Sequence, residues 1–82
     1  MQFTAQMIAG FLKGEVIGNP NATVSDLAKI EEGREGCLSF LANPKYTEYL
    51  YSTASSIVLL DNSIELDPTK EVKGCPLHGG RN

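Results

Sequence analysis

The chain has 82 residues, enough for one small domain and too few for two. Hydrophobic residues make up 41% and charged residues 21%, a globular balance that excludes a disordered chain. Seven lysines and arginines against ten acids give a net charge of −3, which argues against a nucleic-acid backbone as partner, because that binding needs clustered cations. A local site for a single nucleotide is compatible with this balance. So short a chain buries only about 60–65% of its unfolded surface, which sets a modest core. No apolar run approaches the roughly 18–20 residues of a membrane span. Met1-Gln2-Phe3-Thr4 shows no basic region ahead of an apolar stretch, so no signal peptide is expected and a soluble cytoplasmic protein is the default. Cys37 and Cys75 lack metal spacing, and neither a metal nor a cofactor is expected; Cys37, within an apolar run, reads as a buried small hydrophobe.

Thr4 to Lys13 reads as a helix capped by Thr4, with Ala5, Ile8, Ala9 and Leu12 at i, i+3, i+4 and i+7. Met7 and Phe11 widen that stripe, and Gly14 marks the stop. Glu15 to Gly18 is a short strand, followed by the turn chemistry of Asn19-Pro20-Asn21. Thr23 to Ile30 is extended, with an uneven period that places a bulge or break near Asp26. Glu31 to Gly36 is a polar loop, and Cys37 to Leu41 a buried strand. Asn43-Pro44 has the cap and first-position chemistry of a helix running from Lys45 to about Ser52. Ser56 to Leu60, apolar with adjacent β-branched Ile57 and Val58, is the clearest strand; Asp61-Asn62-Ser63 turns it, and Ile64 to Leu66 reads as one more short strand.

From Asp67 onward Lys, Glu, Gly, Pro and Arg dominate, and Gly79-Gly80-Arg81-Asn82 reads as untethered. The expected organisation is a folded domain over residues 1–66 and a poorly ordered or non-native tail over 67–82. The element order predicts a small α/β domain with a short mixed sheet and two helices, and without any six-residue β-helix repeat.

The segment Gly36-Cys37-Leu38-Ser39-Phe40-Leu41-Ala42-Asn43-Pro44-Lys45-Tyr46 resembles the Leu-Ser-Phe-Leu-x-Asn-Pro-Lys-Tyr signature of the bacterial UDP-3-O-acylglucosamine N-acyltransferases of lipid A synthesis. Phe3-Thr4, Ile8-Ala9, Gly18-Asn19-Pro20, Ile30-Glu31-Glu32-Gly33 and Ala54 to Leu59 fit the same register, so the resemblance covers residues 2–66. It implies an amino-terminal uridine-binding domain of a cytoplasmic homotrimer that transfers a 3-hydroxyacyl chain from acyl carrier protein to UDP-3-O-acylglucosamine. It also implies that the catalytic histidine sits in a following β-helix that this chain lacks. Uridine contacts would fall on Phe40, Asn43 and Tyr46, and no catalytic residue on this chain. His78 lies outside the matched region and is not assigned the catalytic role. The 82-residue chain is therefore expected to bind and not to turn over.

The residues themselves carry compatible chemistry. Uracil needs an aromatic face and an amide at its imide edge; Phe40 and Tyr46 offer faces, and Asn43 both donor and acceptor atoms. The spacing 40, 43, 46 spans a strand end and the next helix turn, a corner where ligand sites form, and Lys45 adds a charge for a diphosphate. Each also has a plainer role. Asn43 can simply cap the helix, Phe40 can belong to the core, and Tyr46 shares an i, i+4 face with Leu50. Two other identities fit a small uridine-directed α/β domain less closely: the recognition domain that opens Mur ligases, and a packing or trimerisation module without ligand. Gly33-Arg34-Glu35-Gly36 matches an RNA clamp loop only in spacing, since it carries one base beside acids.

Overall fold

The computed structural model describes residues 2–79. It shows a small α/β unit with a mixed sheet and two helices. Phe3–Thr4 (β1) pairs antiparallel with Thr23–Val24 (β3) in a two-stranded ribbon. Between them lie the helix Ala5–Leu12 (α1) and the strand Glu15–Val16 (β2). Asp26–Leu27 (β4), Cys37–Leu41 (β5), Ile57–Leu60 (β6) and Cys75–His78 (β7) join β2 in a five-stranded sheet ordered β2-β7-β6-β5-β4. Only the β2–β7 pair is antiparallel. The short helix Tyr49–Ser52 (α2) and single 3-10 turns at Ile30–Glu32 and Pro44–Tyr46 complete the described elements.

Thr4 caps α1 as its sequence position suggests, its Oγ1 accepting the Met7 N–H at 3.1 Å. The helix ends one residue before the expected glycine: Lys13 itself takes the left-handed conformation, with φ 54°. Ala5, Ile8 and Ala9 are buried, whereas Met7, Phe11 and Leu12 are exposed, so the apolar stripe is narrower than the sequence suggests. The extended segment after Thr23 does break, at Ser25, where the chain passes from the ribbon to the main sheet. The Ser25 and Asp26 amides both donate to the carbonyl of Gly36, at 2.9 and 3.2 Å. Gly36 has φ 92°, a conformation glycine adopts without steric cost.

Central β6 reads Ile57-Val58-Leu59-Leu60, and its apolar side chains serve both faces of the sheet, as befits a parallel strand. On one face Ile57 joins Ala5, Ile8, Ala9, Val24, Cys75 and Leu77, beneath α1. On the other, Val58 and Leu60 pack with Ile30, Leu41, Leu50 and Ile64. Cys37 is buried as expected. Burial pushes the Cys75 thiol up, which keeps it a neutral core group.

Three expectations need correction. The helix expected over Lys45–Ser52 is divided into a 3-10 turn and α2, with Thr47 and Glu48 between them. Ile64 to Leu66 is not a strand; Ile64 is buried from an irregular segment that follows the Asp61 turn. Asp61 accepts the Ser63 amide and hydroxyl, and Asp67 those of Thr69, which holds both carboxyls below their ordinary range. Third, the segment after Leu66 contributes a strand: β7 lies between β6 and β2, with Cys75, Pro76 and Leu77 buried. Pro76 is tolerated because its missing N–H would face the two-residue β2, while its carbonyl accepts the Ile17 amide at 3.0 Å. The Gly79 amide donates to Leu60 at 2.8 Å; the rest of the ending read as untethered, Gly80 to Asn82, lies outside the described residues.

Leu77→Ala should lower stability by about 2–5 kcal/mol in urea denaturation, the cost of a cavity in a closed core. Ending the chain at Leu66 should abolish the cooperative thermal transition. Retention of that transition would place the end of the folded unit at Leu66.

Candidate functional site

Side chains alternate across β5: Cys37, Ser39 and Leu41 are buried on one side, and Leu38 and Phe40 face the other. The register pairs Phe40 with Leu59 and Leu38 with Ile57, so α1's face of the sheet continues outward to Phe40. α1 does not reach that far. Phe40 is left 58% exposed, which sets it apart from a core phenylalanine.

Just beyond β5, Asn43 and Pro44 turn the chain. The Asn43 Oδ1 accepts the Lys45 amide at 3.0 Å, and Pro44 occupies the first position of the 3-10 turn. This is the capping role weighed for Asn43 in the sequence. Thr47 and Glu48 keep right-handed helical backbone angles, with i to i+3 bonds to Pro44 from Thr47 and to Thr47 from Leu50; Leu50 is fully buried, and Tyr46 remains 43% exposed. The Tyr46 ring lies 6.0 Å from the Tyr49 ring, tilted by 35°. Tyr51 is the tyrosine that turns inward, its hydroxyl accepting the Asp67 amide at 2.9 Å.

Phe40 and Tyr46 line one open groove of about 890 Å³. Its floor is Leu38 and Leu59, and its opposite wall is Leu27 to Glu31. That wall is placed by β4 pairing with β5, a contact extended by the Ala28 amide donating to Leu38 at 3.1 Å. Asn43 and Lys45 stand beside the groove without lining it; the Lys45 Nζ lies 5.9 Å from the centre of the Tyr46 ring. Lys29 and Glu31 add one charge of each sign to the wall. An aromatic pair, an apolar floor and a wall carrying two charges suit a flat, partly polar ring.

The four residues singled out from sequence therefore cluster, two inside the groove and two on its rim. The wall was not singled out, because β4–β5 pairing joins segments with no shared local pattern. Leu59 had a signal in the strength of its strand, though not in its partner. His78 ends β7 with Nε2 2.9 Å from the Ile64 carbonyl and does not line the groove. Among the described residues no group of three or more His, Cys, Asp or Glu side chains is placed to hold a metal, and no helix is long and apolar enough to cross a membrane.

Residues 21–75 match the family model described as LpxD, UDP-3-O-(3-hydroxymyristoyl) glucosamine N-acyltransferase. The match runs past Leu66 to the first residue of β7. Proteins named UDP-3-O-acylglucosamine N-acyltransferase are similar over much of the chain. The one from Porphyromonas gingivalis (strain ATCC 33277) is 59% identical over 73 residues, which is 89% of this chain and 20% of that protein. The one from Bacteroides thetaiotaomicron is 53% identical over the same shares. The one from Geobacter sp. (strain M21) is 40% identical over 60 residues, 73% of this chain and 17% of that protein. The chain thus spans about a fifth of the length of the curated relatives it matches.

Asn43→Ala should cost about 0.5–2 kcal/mol in thermal or urea unfolding, since the Lys45 amide loses its cap. Asn43→Asp, which keeps the acceptor, should restore most of it. Equal losses in both variants would mean that capping is not what Asn43 contributes to stability.

Proposed function

Because this chain belongs to the UDP-3-O-acylglucosamine N-acyltransferase family, we propose that it is the amino-terminal, substrate-binding part of such an enzyme and that its groove receives the uracil of UDP-3-O-acylglucosamine. The observation that supports this most directly is the convergence of two exposed aromatic rings, Phe40 and Tyr46, on one groove at the end of β5. In this reading the rings sandwich or flank the base. Capping occupies Oδ1 of Asn43, and its Nδ2 amide is the donor suited to a uracil carbonyl. Lys45, on the rim, supplies positive charge toward the diphosphate.

Acyl transfer from acyl carrier protein is the work of the longer enzyme, cytoplasmic and homotrimeric in this proposal, and its catalytic residues lie outside these 82 residues. Membership in the family favours this over a Mur-ligase module. A stacked base contributes roughly 1–3 kcal/mol and a neutral hydrogen bond about 0.5–1.5 net. Ordering costs reduce the sum, so the net reaches at best about the 4 kcal/mol of millimolar affinity. A packing module is the second reading, favoured by exposed Leu27 and Phe11 on the groove's side of the sheet.

Titration of ¹⁵N-labelled chain with UDP-N-acetylglucosamine, with AMP as control, should give saturable uridine-selective shifts over residues 40–46. Tyr46→Ala should weaken that binding at least fivefold with an unchanged fold. Equal shifts with AMP, or concentration-dependent self-association without nucleotide shifts, would favour the packing module. The chain should show no acyl transfer; turnover above background would place chemistry within it.

A further inference from the structure

Three polar side chains are buried among the described residues, Ser39, Thr53 and Ser55, at 1%, 5% and 0% exposure, and they meet at one point. Their hydrogen bonds have one consistent direction. The Ser39 hydroxyl donates to the Ala28 carbonyl at 2.9 Å, so its contact with Ser55 must be filled by the Ser55 proton. Thr53 Oγ1 in turn donates to Ser55 Oγ at 3.2 Å and accepts the Ser55 amide at 3.3 Å. Each hydroxyl therefore spends its single proton within a chain that ends on the Ala28 carbonyl. Such a chain is polarised along its length, and losing a member leaves a buried acceptor unpaired.

Ala28 is the second residue of the groove wall, and Gly33 follows the 3-10 turn that carries the wall's end. A Cβ at Gly33 would overlap Ser55 Oγ and stand 2.8 Å from Thr53 Oγ1, so the backbone there rests directly on the same hydroxyls. The segment between them carries Lys29 and Glu31, which line the groove together with Phe40 and Tyr46. Buried Ile30 secures its middle. An apolar core would need no such network at this point; its contacts at Ala28 and Gly33 bracket Lys29 to Glu31 of the wall.

We infer that Ser39, Ser55 and Thr53 form a hydroxyl clamp that fixes the segment from Ala28 to Gly33, which carries most of the groove wall, and so sets the width of the nucleotide groove. These are positioning residues: their hydroxyls bond to one another and to the Ala28 carbonyl, and act on the base through the wall. The inference rests on the uridine reading of the groove.

The test compares the 82-residue chain with Ser39→Ala by two measurements. Amide exchange without nucleotide reads the wall, and titration with UDP-N-acetylglucosamine reads the groove. Ser39→Ala should accelerate exchange at residues 29–32 at least tenfold relative to Ile57–Leu60, and lower the initial slope of the nucleotide shifts at least threefold. Ser39→Cys, close in size and a weak donor, should recover part of both. If Ser39→Ala fails to fold, Thr53→Val carries the test, with an expected twofold loss of slope. Unchanged binding in a folded clamp variant overturns the clamp while the uridine reading stands. Absence of any nucleotide shift in the unsubstituted chain overturns the uridine reading, and this inference with it, whatever the exchange rates show.

Discussion

The parallel ladder between β5 and β6 is the constraint on which the rest of this structure depends. It sets Leu38 beside Ile57, Ser39 beside Val58, Phe40 beside Leu59 and Leu41 beside Leu60. Side chains alternate with a period of two, so a slip by one residue would exchange the faces of all of them. Ser39 would leave its buried partners, Leu41 its core cluster, and Phe40 would turn inward. The present register puts Leu41 against Leu50 and Ile30, directs Ser39 toward Ala28, and leaves Phe40 on the open side. Groove, wall and core are thus consequences of one alignment.

That alignment carries a cost. Burying a phenylalanine is worth about 1.5–3 kcal/mol, so an exposed Phe40 forgoes on the order of 1–2 kcal/mol. α1 could not recover it without extending across β5, and it stops at Leu12 with Lys13 in a left-handed turn. Stability is instead drawn from the two interior clusters that share β6. A sequence that places a large apolar side chain in a strand and then leaves it uncovered departs locally from the rule that pattern and burial agree. Such departures concentrate where a surface has a use.

Local chemistry made part of this readable in the sequence. Thr4 signals the start of α1, the Asn43-Pro44 pair signals the turn after β5, and the apolar runs of β5 and β6 signal buried strands. Phe40, Asn43, Lys45 and Tyr46 lie within seven residues, so their clustering followed from spacing alone. What stayed hidden depended on distant partners. β7 contains proline and is flanked by glycines, which locally argues against a strand. Its place is set by the open edge of β6, together with the accident that Pro76 lacks its N–H on the side of the very short β2. The groove wall likewise comes from β4 meeting β5. The change from a 3-10 turn to an α-helix across Thr47 and Glu48 was also hidden, since no glycine or internal proline announces it.

The site combines a firm floor with a softer rim. Leu38, Phe40 and Leu59 belong to the continuous ladder, whose backbone groups are paired along several residues. The rim is built from two single 3-10 turns, Ile30–Glu32 and Pro44–Tyr46, each closed by few i to i+3 bonds such as Glu32 to Lys29 at 2.9 Å and Thr47 to Pro44 at 3.2 Å. Elements of this kind open at lower free energy than the strands beneath them. One rim is steadied from outside by the Asn43 cap and by Pro44, whose ring restricts the backbone. The other has no side-chain cap at Lys29, and the carbonyl of Ala28, two residues before its first residue, accepts the buried Ser39 hydroxyl. In the proposed reading, a flat ring bound between the two rims would gain affinity in proportion to how little of that motion it had to arrest, and the polar atoms under the wall would then count toward recognition beside the aromatic rings.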